Sequence, residues 1–398
     1  MASLIAWLDA SVEEQRRMRE IIRLFADRES RDELGISQFR DALSDILFPG
    51  TSVLLTRARY LLFVPWCLQK AAEKPDPIKE ADRYERALIG AIRESDDYAG
   101  LLGLRAGVNL RTLPSVVYWT TLRHYGILAD PDLSREDVLR LPGLAKSLDD
   151  PDHGGVARLH AWSASLPPPP PDFPWTAQGG FTLTREEAEW LRDRMLSGEP
   201  QTLMTHLLTD APSPDSPAPW ADAAALRAGE PAQSSLMQAR AFSAAVHGAQ
   251  LLYNLLIAEE YERAGLDRLS DPVDDYRARL ARWATGLPAL VDLDTWDLDA
   301  LLRLVDRQRG APAHPAARRF IQEWVTVMCA IGPGAVADHR DARTLVARRE
   351  RQHKGAQRRI GNPARLASWS GESGAGALTY RWSNVRRILL DIHDGLAR

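Results

Sequence analysis

"SSLMQARAFSAAVHGAQLLYNLLIAEEYERAG", residues 234–265, is the stretch from which the fold is read. It is built mostly from alanine, leucine and other good helix formers, and its middle is almost wholly apolar. A helix that is apolar all round has to be covered by other elements. Gly265 supplies a stop at its end. The expectation is therefore a central helix wrapped by further helices.

Working outward, the same start and stop signals recur. Ser11 with Glu14, Ser134 with Asp137, and Thr184 with Glu187 have the spacing of a capping box. Met18, Ile21, Ile22 and Phe25 mark one apolar face after the first of these, and Gly198 closes the helix opened by Thr184. "HPAARRFIQEWVTVMCAIG" (314–332) and "SNVRRILLDIHDG" (383–395) continue the helical period. Alternating β-branched runs are nearly absent, so the chain reads as mainly α.

Two Pro-rich stretches punctuate it. "LPPPPPDFPW" (166–175) reads as a stiff polyproline linker between two helical domains, 1–165 and 176–398. "DAPSPDSPAPW" (210–220) reads as the start of an exposed loop, 210–231, inside the second. In the first domain, "LRTLPSVVYWTTLRHYGIL" (110–128) places Pro114 in a first helical turn and Gly126 at its end. With "YERALIGAIRES" (84–95) before it, the region 79–130 has the outline of a helix-turn-helix unit with a winged-helix-like strand after it. Arg111, Ser115, Tyr118, Arg123 and His124 would then face DNA. A core helix with a glycine stop fits the same residues.

The 398 residues carry 50 basic and 54 acidic side chains. Residues 1–170 are net −3, 171–339 net −9, and 340–398 net +8. Only five of the basic residues are lysine, so coding bias inflates arginine and position has to carry the reading. The positive charge gathers in "RTLVARRERQHKGAQRRIGNPARL" (343–366). On a helix over 340–360, Arg340, Arg343, Arg348, Arg351, Lys354, Arg358 and Arg359 fall within a sector of roughly 160°. Ala342, Leu345, Val346, Ala356 and Ile360 take the opposite side, where Arg349 is the exception. Such a face suits phosphate, which guanidinium groups bind in bidentate fashion with release of counterions. A solvated face neutralised by the acidic middle third fits it too. Gly355 weakens the helix near its end.

Chemistry-bearing motifs are sparse. The chain has no phosphate-cradling GxxxxGK[ST] and no HExxH, and with Cys67 and Cys329 alone it holds no cysteine zinc site. Both cysteines fall in apolar helical segments, and two buried thiols suit a reducing cytoplasm. The first fifteen residues show neither a basic leader nor a long apolar core, and no run of eighteen apolar residues predicts a membrane span. "DLDTWDLD" (292–299) lacks the glycine and glutamate of a calcium loop, so Asp294 or Asp297 reads as a helix cap. Asp338, His339 and Asp341 offer a metal-dependent nuclease alternative. Trp369, Tyr380 and Trp382, set around Gly371, Gly374 and Gly376, either stack on bases or seal a small core. No cofactor is expected.

Several stretches together resemble one family: "ASLIAWLDASVEEQRRMREII", "FPGTSVLLTRARYLLFVPW", "LPSVVYWTTLRHYGI", "RRIGNPARLASWSG" and "LTYRWSNVRRILLDIHDGL". They are similar to an uncharacterised bacterial family, a domain of unknown function (DUF6361), over nearly the whole chain. Its members sit in defence islands beside helicase and phospholipase-D-like nuclease genes. The resemblance thus implies restriction of phage or plasmids in company with such a partner, and it transfers no site residue. The expectation is a cytoplasmic, non-catalytic component that holds nucleic acid, DNA above RNA, on the 340–360 helix with help from Arg111 and Arg123. The rival expectation is a scaffold whose basic helix docks on an acidic protein.

Overall fold

A computed structural model of the chain describes residues 32–148 and 161–398. Among these residues the protein is mainly helical, with fifteen α-helices and no strand. In chain order, α1 is Ser37–Leu47, α2 Tyr60–Ala72, α3 Pro77–Arg93, α4 Pro114–His124 and α5 Arg135–Leu148. Next come α6 Arg185–Leu196, α7 Leu203–Leu207, α8 Ala223–Leu226, α9 Ala232–Arg263 and α10 Pro272–Leu290. The last are α11 Leu298–Arg309, α12 Pro315–Ile331, α13 Arg340–Lys354, α14 Pro363–Leu366 and α15 Trp382–Leu396.

The chain forms two compact units. Among the described residues the first comprises 32–43 and 238–378, the second 44–148, 161–237 and 379–398. The expected boundary at 166–175 therefore falls inside the second unit. The polyproline segment is strapped to α2 rather than spanning a gap. Trp66 Nε1 donates to the Pro167 carbonyl at 2.7 Å, and the Phe173 ring stacks on Phe63 at 5.7 Å.

In the second unit α2 is the core element. Every residue from Tyr60 to Leu68 is buried, and α3, α4 and α5 pack around it. The capping signals act as read. Thr184 and Glu187 close a reciprocal cap on α6, and the Ser134 hydroxyl donates to Asp137 at the start of α5. The other signal, at Ser11 and Glu14, and the face at 18–25 lie outside the described residues. The expected loop 210–231 also belongs to this unit and contains α8. Fully buried Asp222 orders it, accepting from the amides of Ser213, Ala224 and Ala225 and from the Ser216 hydroxyl. Trp382 is buried on α15 and donates to the Ser216 carbonyl at 3.0 Å, so here the aromatic seals a core.

The 79–130 region does not form a tight helix-turn-helix. Helices α3 and α4 are separated by residues 94–113, which hold only a 3-10 turn at Gly107–Asn109, whereas that motif joins its helices by a few residues. After α4 the chain makes one isolated antiparallel bridge, Leu128 to Trp162, in place of a wing. Ser115 and Tyr118, expected to face DNA, are buried. The Ser115 amide and hydroxyl donate to the buried Glu85 carboxylate at 2.7 and 2.8 Å, and burial raises the Glu85 pKa. The Tyr118 hydroxyl accepts from the amides of Thr56 and Arg57, and burial pushes its pKa up to about 12. At Ser115 and Tyr118 the core-helix reading of α4 holds, because their polar groups are spent inside.

The first unit is built on α9. An apolar window in this helix has the length and hydropathy of a membrane span, yet 89% of it is buried inside the protein. Two tryptophans from flanking helices clasp it. Trp283 Nε1 donates to the Ala244 carbonyl and Trp324 Nε1 to that of Ala245, each at 2.8 Å. A Cβ on Gly248 would stand 2.2 Å from the Trp283 ring, so only glycine lets this indole lie on the helix. Asp297 caps α11, accepting from the Ala300 amide at 2.8 Å. Trp369 is buried against Tyr261 and Tyr276, closing the core over α9.

Candidate nucleic-acid interface

Helix α13 opens at His339, whose Nδ1 accepts from the Asp341 amide at 3.3 Å. It buries Ala342, Leu345 and Val346, the apolar stripe read from the sequence. The expected helix over 340–360 is shorter than read. It ends at Lys354 because Gly355 turns the backbone to φ +52°, and a 3-10 turn over Gly355–Gln357 follows. Ala356 is consequently exposed, and Arg358 and Arg359 leave the helical wheel altogether.

Four of the seven expected phosphate ligands already hold carboxylates. Arg343 grips Glu259 with both terminal nitrogens, and Arg348 is paired with Glu323. Lys354 and Arg359 share Glu33, at 3.1 and 3.0 Å. Burial disfavours the charge of Arg359, but adjacent Glu33 outweighs it and raises the guanidinium pKa above its ordinary value. Arg340 and Arg351 are exposed and Arg358 is half-buried. None of these three has a carboxylate at ion-pair distance among the described residues, and Arg358 spends one bond on the Gly355 carbonyl at 3.4 Å.

Arg349 and Glu350, on the inner side of α13, are both buried. Glu350 accepts from the Tyr253 hydroxyl and from the amides of Arg359 and Ile360 at 2.7, 2.7 and 3.1 Å, fixing the turn that follows the helix. Arg349 donates through Nε to the Leu34 carbonyl at 2.7 Å and through Nη2 to that of Gly35 at 3.0 Å. Its guanidinium lies over the Phe320 ring at 5.7 Å. The helical period shows that Arg349 faces inward, but not that the loop before α1 supplies its acceptors.

Arg111 is exposed before α4 and Arg123 is half-buried near its end, both in the second unit. His124 packs edge-on against Tyr125, with ring centroids 4.8 Å apart. Asp338 is paired with Arg277 at 2.9 Å and His339 is the helix cap, and no cluster of three metal-ligating side chains occurs among the described residues. Cys67 is buried as expected, whereas Cys329 is exposed on the outer side of α12.

One family, described only as a family of unknown function, DUF6361, matches residues 2–395. The chain belongs to it. No curated protein and no solved structure matches the chain. For this DUF6361 chain the binding surface is therefore read from the residues themselves.

Proposed function

We propose that this chain is a non-catalytic, nucleic-acid-binding component of a cytoplasmic bacterial defence complex directed against phage or plasmids. Its chemistry comes from a helicase or phospholipase-D-like nuclease partner. The setting and the partner follow from the family resemblance. The binding surface is the outer face of α13, and one observation carries it: Arg340 and Arg351 are exposed, free of carboxylates among the described residues, and on one face. Eleven residues apart, they differ by roughly 20° around the helix and stand about 16 Å apart along it. Half-buried Arg358 extends the same basic segment. Such spaced guanidiniums suit the phosphates of a strand and carry no sequence code.

Fluorescence anisotropy of labelled DNA and RNA, titrated with salt, tests this reading. Wild type is expected to bind with a steep salt dependence, and a folded Arg340→Glu, Arg351→Glu, Arg358→Glu variant is expected to lose that binding. Absence of binding at low salt, or equal binding by both proteins, refutes it.

The four internal ion pairs favour a second reading. A helix whose cations mostly hold carboxylates of their own unit has little charge to spare for a polyanion, and its remaining arginines suit the smaller acidic patch of a partner protein. In that case the chain gives no nucleic-acid shift, and the partner's capture depends on Arg340 and Arg351.

A further inference from the structure

A groove of about 500 Å³ opens in the first unit beside α13. Its walls come from the start of α1, with Ser37 and Gln38, and from the first turns of α12, with Arg319 and Phe320. The third wall is the flank of α13, with Arg349 and His353. We propose that this groove binds the phosphate group of a nucleotide-sized molecule, with Arg349 and Arg319 as its cationic ligands.

Arg349 is the reason. Arg349 is 4% exposed, and among the described residues its side-chain hydrogen bonds go only to two neutral carbonyls. Among the described residues Nη1 makes no hydrogen bond and no carboxylate stands at ion-pair distance. A buried cation is costly unless an anion compensates it. Burial accordingly draws the guanidinium pKa below its ordinary value, with the more distant Asp32 opposing. The groove's own anions are committed elsewhere. The Asp32 carboxylate accepts from the amides of Ile36 and Ser37 at 2.7 and 2.9 Å, and Glu323 holds Arg348. Arg319 is exposed on the opposite wall with no ion pair among the described residues.

Size and lining narrow the ligand. The volume lies in the ordinary range of small-molecule sites, about 300–1,000 Å³. Two guanidiniums present the forked donors that match phosphate oxygens. His314, whose Nδ1 accepts from the Ala316 amide, keeps its Nε2 as a donor, while Phe320, Ala316, Ala317 and Leu345 give the groove an apolar side for a base or another flat group. The inference does not rest on strand binding at the outer face of α13, since Arg340, Arg351 and Arg358 take no part in it.

Isothermal titration of the full chain with inorganic phosphate, AMP, ATP and adenosine tests the site. AMP or ATP is expected to bind saturably, and adenosine at least about tenfold more weakly. Arg319→Ala is expected to lower nucleotide affinity about tenfold with its unfolding profile unchanged. Gln352→Glu, which adds a carboxylate to the exposed rim, gives a second, independent loss. A 5′-phosphorylated oligonucleotide and its 5′-hydroxyl counterpart identify the phosphate's source. Arg319-dependent preference for the phosphorylated end, without AMP binding, overturns the nucleotide-sized ligand and assigns the groove to strand ends. Silence of every phosphate ligand to about 5 mM overturns the proposal. So does equal affinity for adenosine and AMP, or affinity unchanged in both variants. Strand binding lost only in the Arg340, Arg351, Arg358 variant leaves this result untouched, so the two readings fail separately.

Discussion

Gly35 and Arg349 are fitted to each other. The Arg349 guanidinium donates to the Gly35 carbonyl at 3.0 Å, and a Cβ on residue 35 would stand 2.2 Å from its Nη2. Residue 35 also has φ +65°, a left-handed backbone that a side chain disfavours. Gly35→Ala is therefore expected to cost about 2–4 kcal/mol, from backbone strain and from carbonyls left without their donor. Urea denaturation measures this, and a loss within about 0.5 kcal/mol means the fit is looser than drawn.

The clasp of Trp283 over α9 makes a parallel case for overpacking. Gly248→Ala puts a methyl group into the space the indole occupies, and a rigid ring beside backbone has little room to yield. A loss of about 1–3 kcal/mol is expected, with Trp283 fluorescence reporting a more exposed indole. An unchanged midpoint of unfolding would show that the ring shifts freely.

Glu323 tests whether the basic segment is restrained by its own acids. Both members of the Arg348–Glu323 pair are substantially exposed, so Glu323→Gln is expected to leave stability nearly unchanged while freeing Arg348. If the outer face of α13 binds strands, affinity at low salt rises and the salt slope grows by about one phosphate. An unchanged slope means that Arg348 does not reach the strand.

Asp222 collects four donors in the second unit with no solvent to replace it. Asp222→Ala removes the α8 cap and strands buried amides, and the expected cost is about 2–4 kcal/mol. Proteolysis should then cut within 210–231, a segment whose composition suggests looseness and whose turns gather four donors on this carboxylate. Wild-type resistance in the variant would refute that role.

Acid should destabilise the first unit through His247. Burial holds its pKa below the ordinary value of 6.5, against the opposing bond to the Ala375 carbonyl at 3.1 Å, and nearby Arg279 adds to the lowering. The folded pKa lies below the unfolded one, so the unfolded chain takes up the proton first as pH falls. Stability is thus complete above the ordinary value and declines on acidification. His353, also lowered by burial, acts in the same direction. Urea midpoints from about pH 7.5 to about pH 5.5 should fall less steeply for His247→Gln than for wild type. Equal slopes would remove His247 from the account.

Elements that depend on local chemistry are legible along the chain. The caps at Ser134, Thr184 and Asp297, the ends near Gly198 and Gly265, and the apolar stripe of α13 follow from spacing and hydrogen-bonding capacity along one segment. The apolar character of α9 likewise required a helix buried by its neighbours. Tertiary structure decided what depends on partners distant in the chain. The division into units comes at 43/44, 237/238 and 378/379, where no proline marks it, because a unit is defined by shared burial rather than by composition. The polyproline stretch became a strap because Trp66 and Phe63 hold it. Ser115 and Tyr118 turned inward because Glu85 and the backbone at Thr56 and Arg57 receive them. The basic helix lost most of its free charge to Glu33, Glu259 and Glu323, which no helical wheel includes. Arg349, a lone exception to the pattern, became the centre of a groove only when residues 32–38 and 314–323 were folded against it. Charge and hydrogen bonding act through space, and the chain's order in sequence conceals which groups will meet.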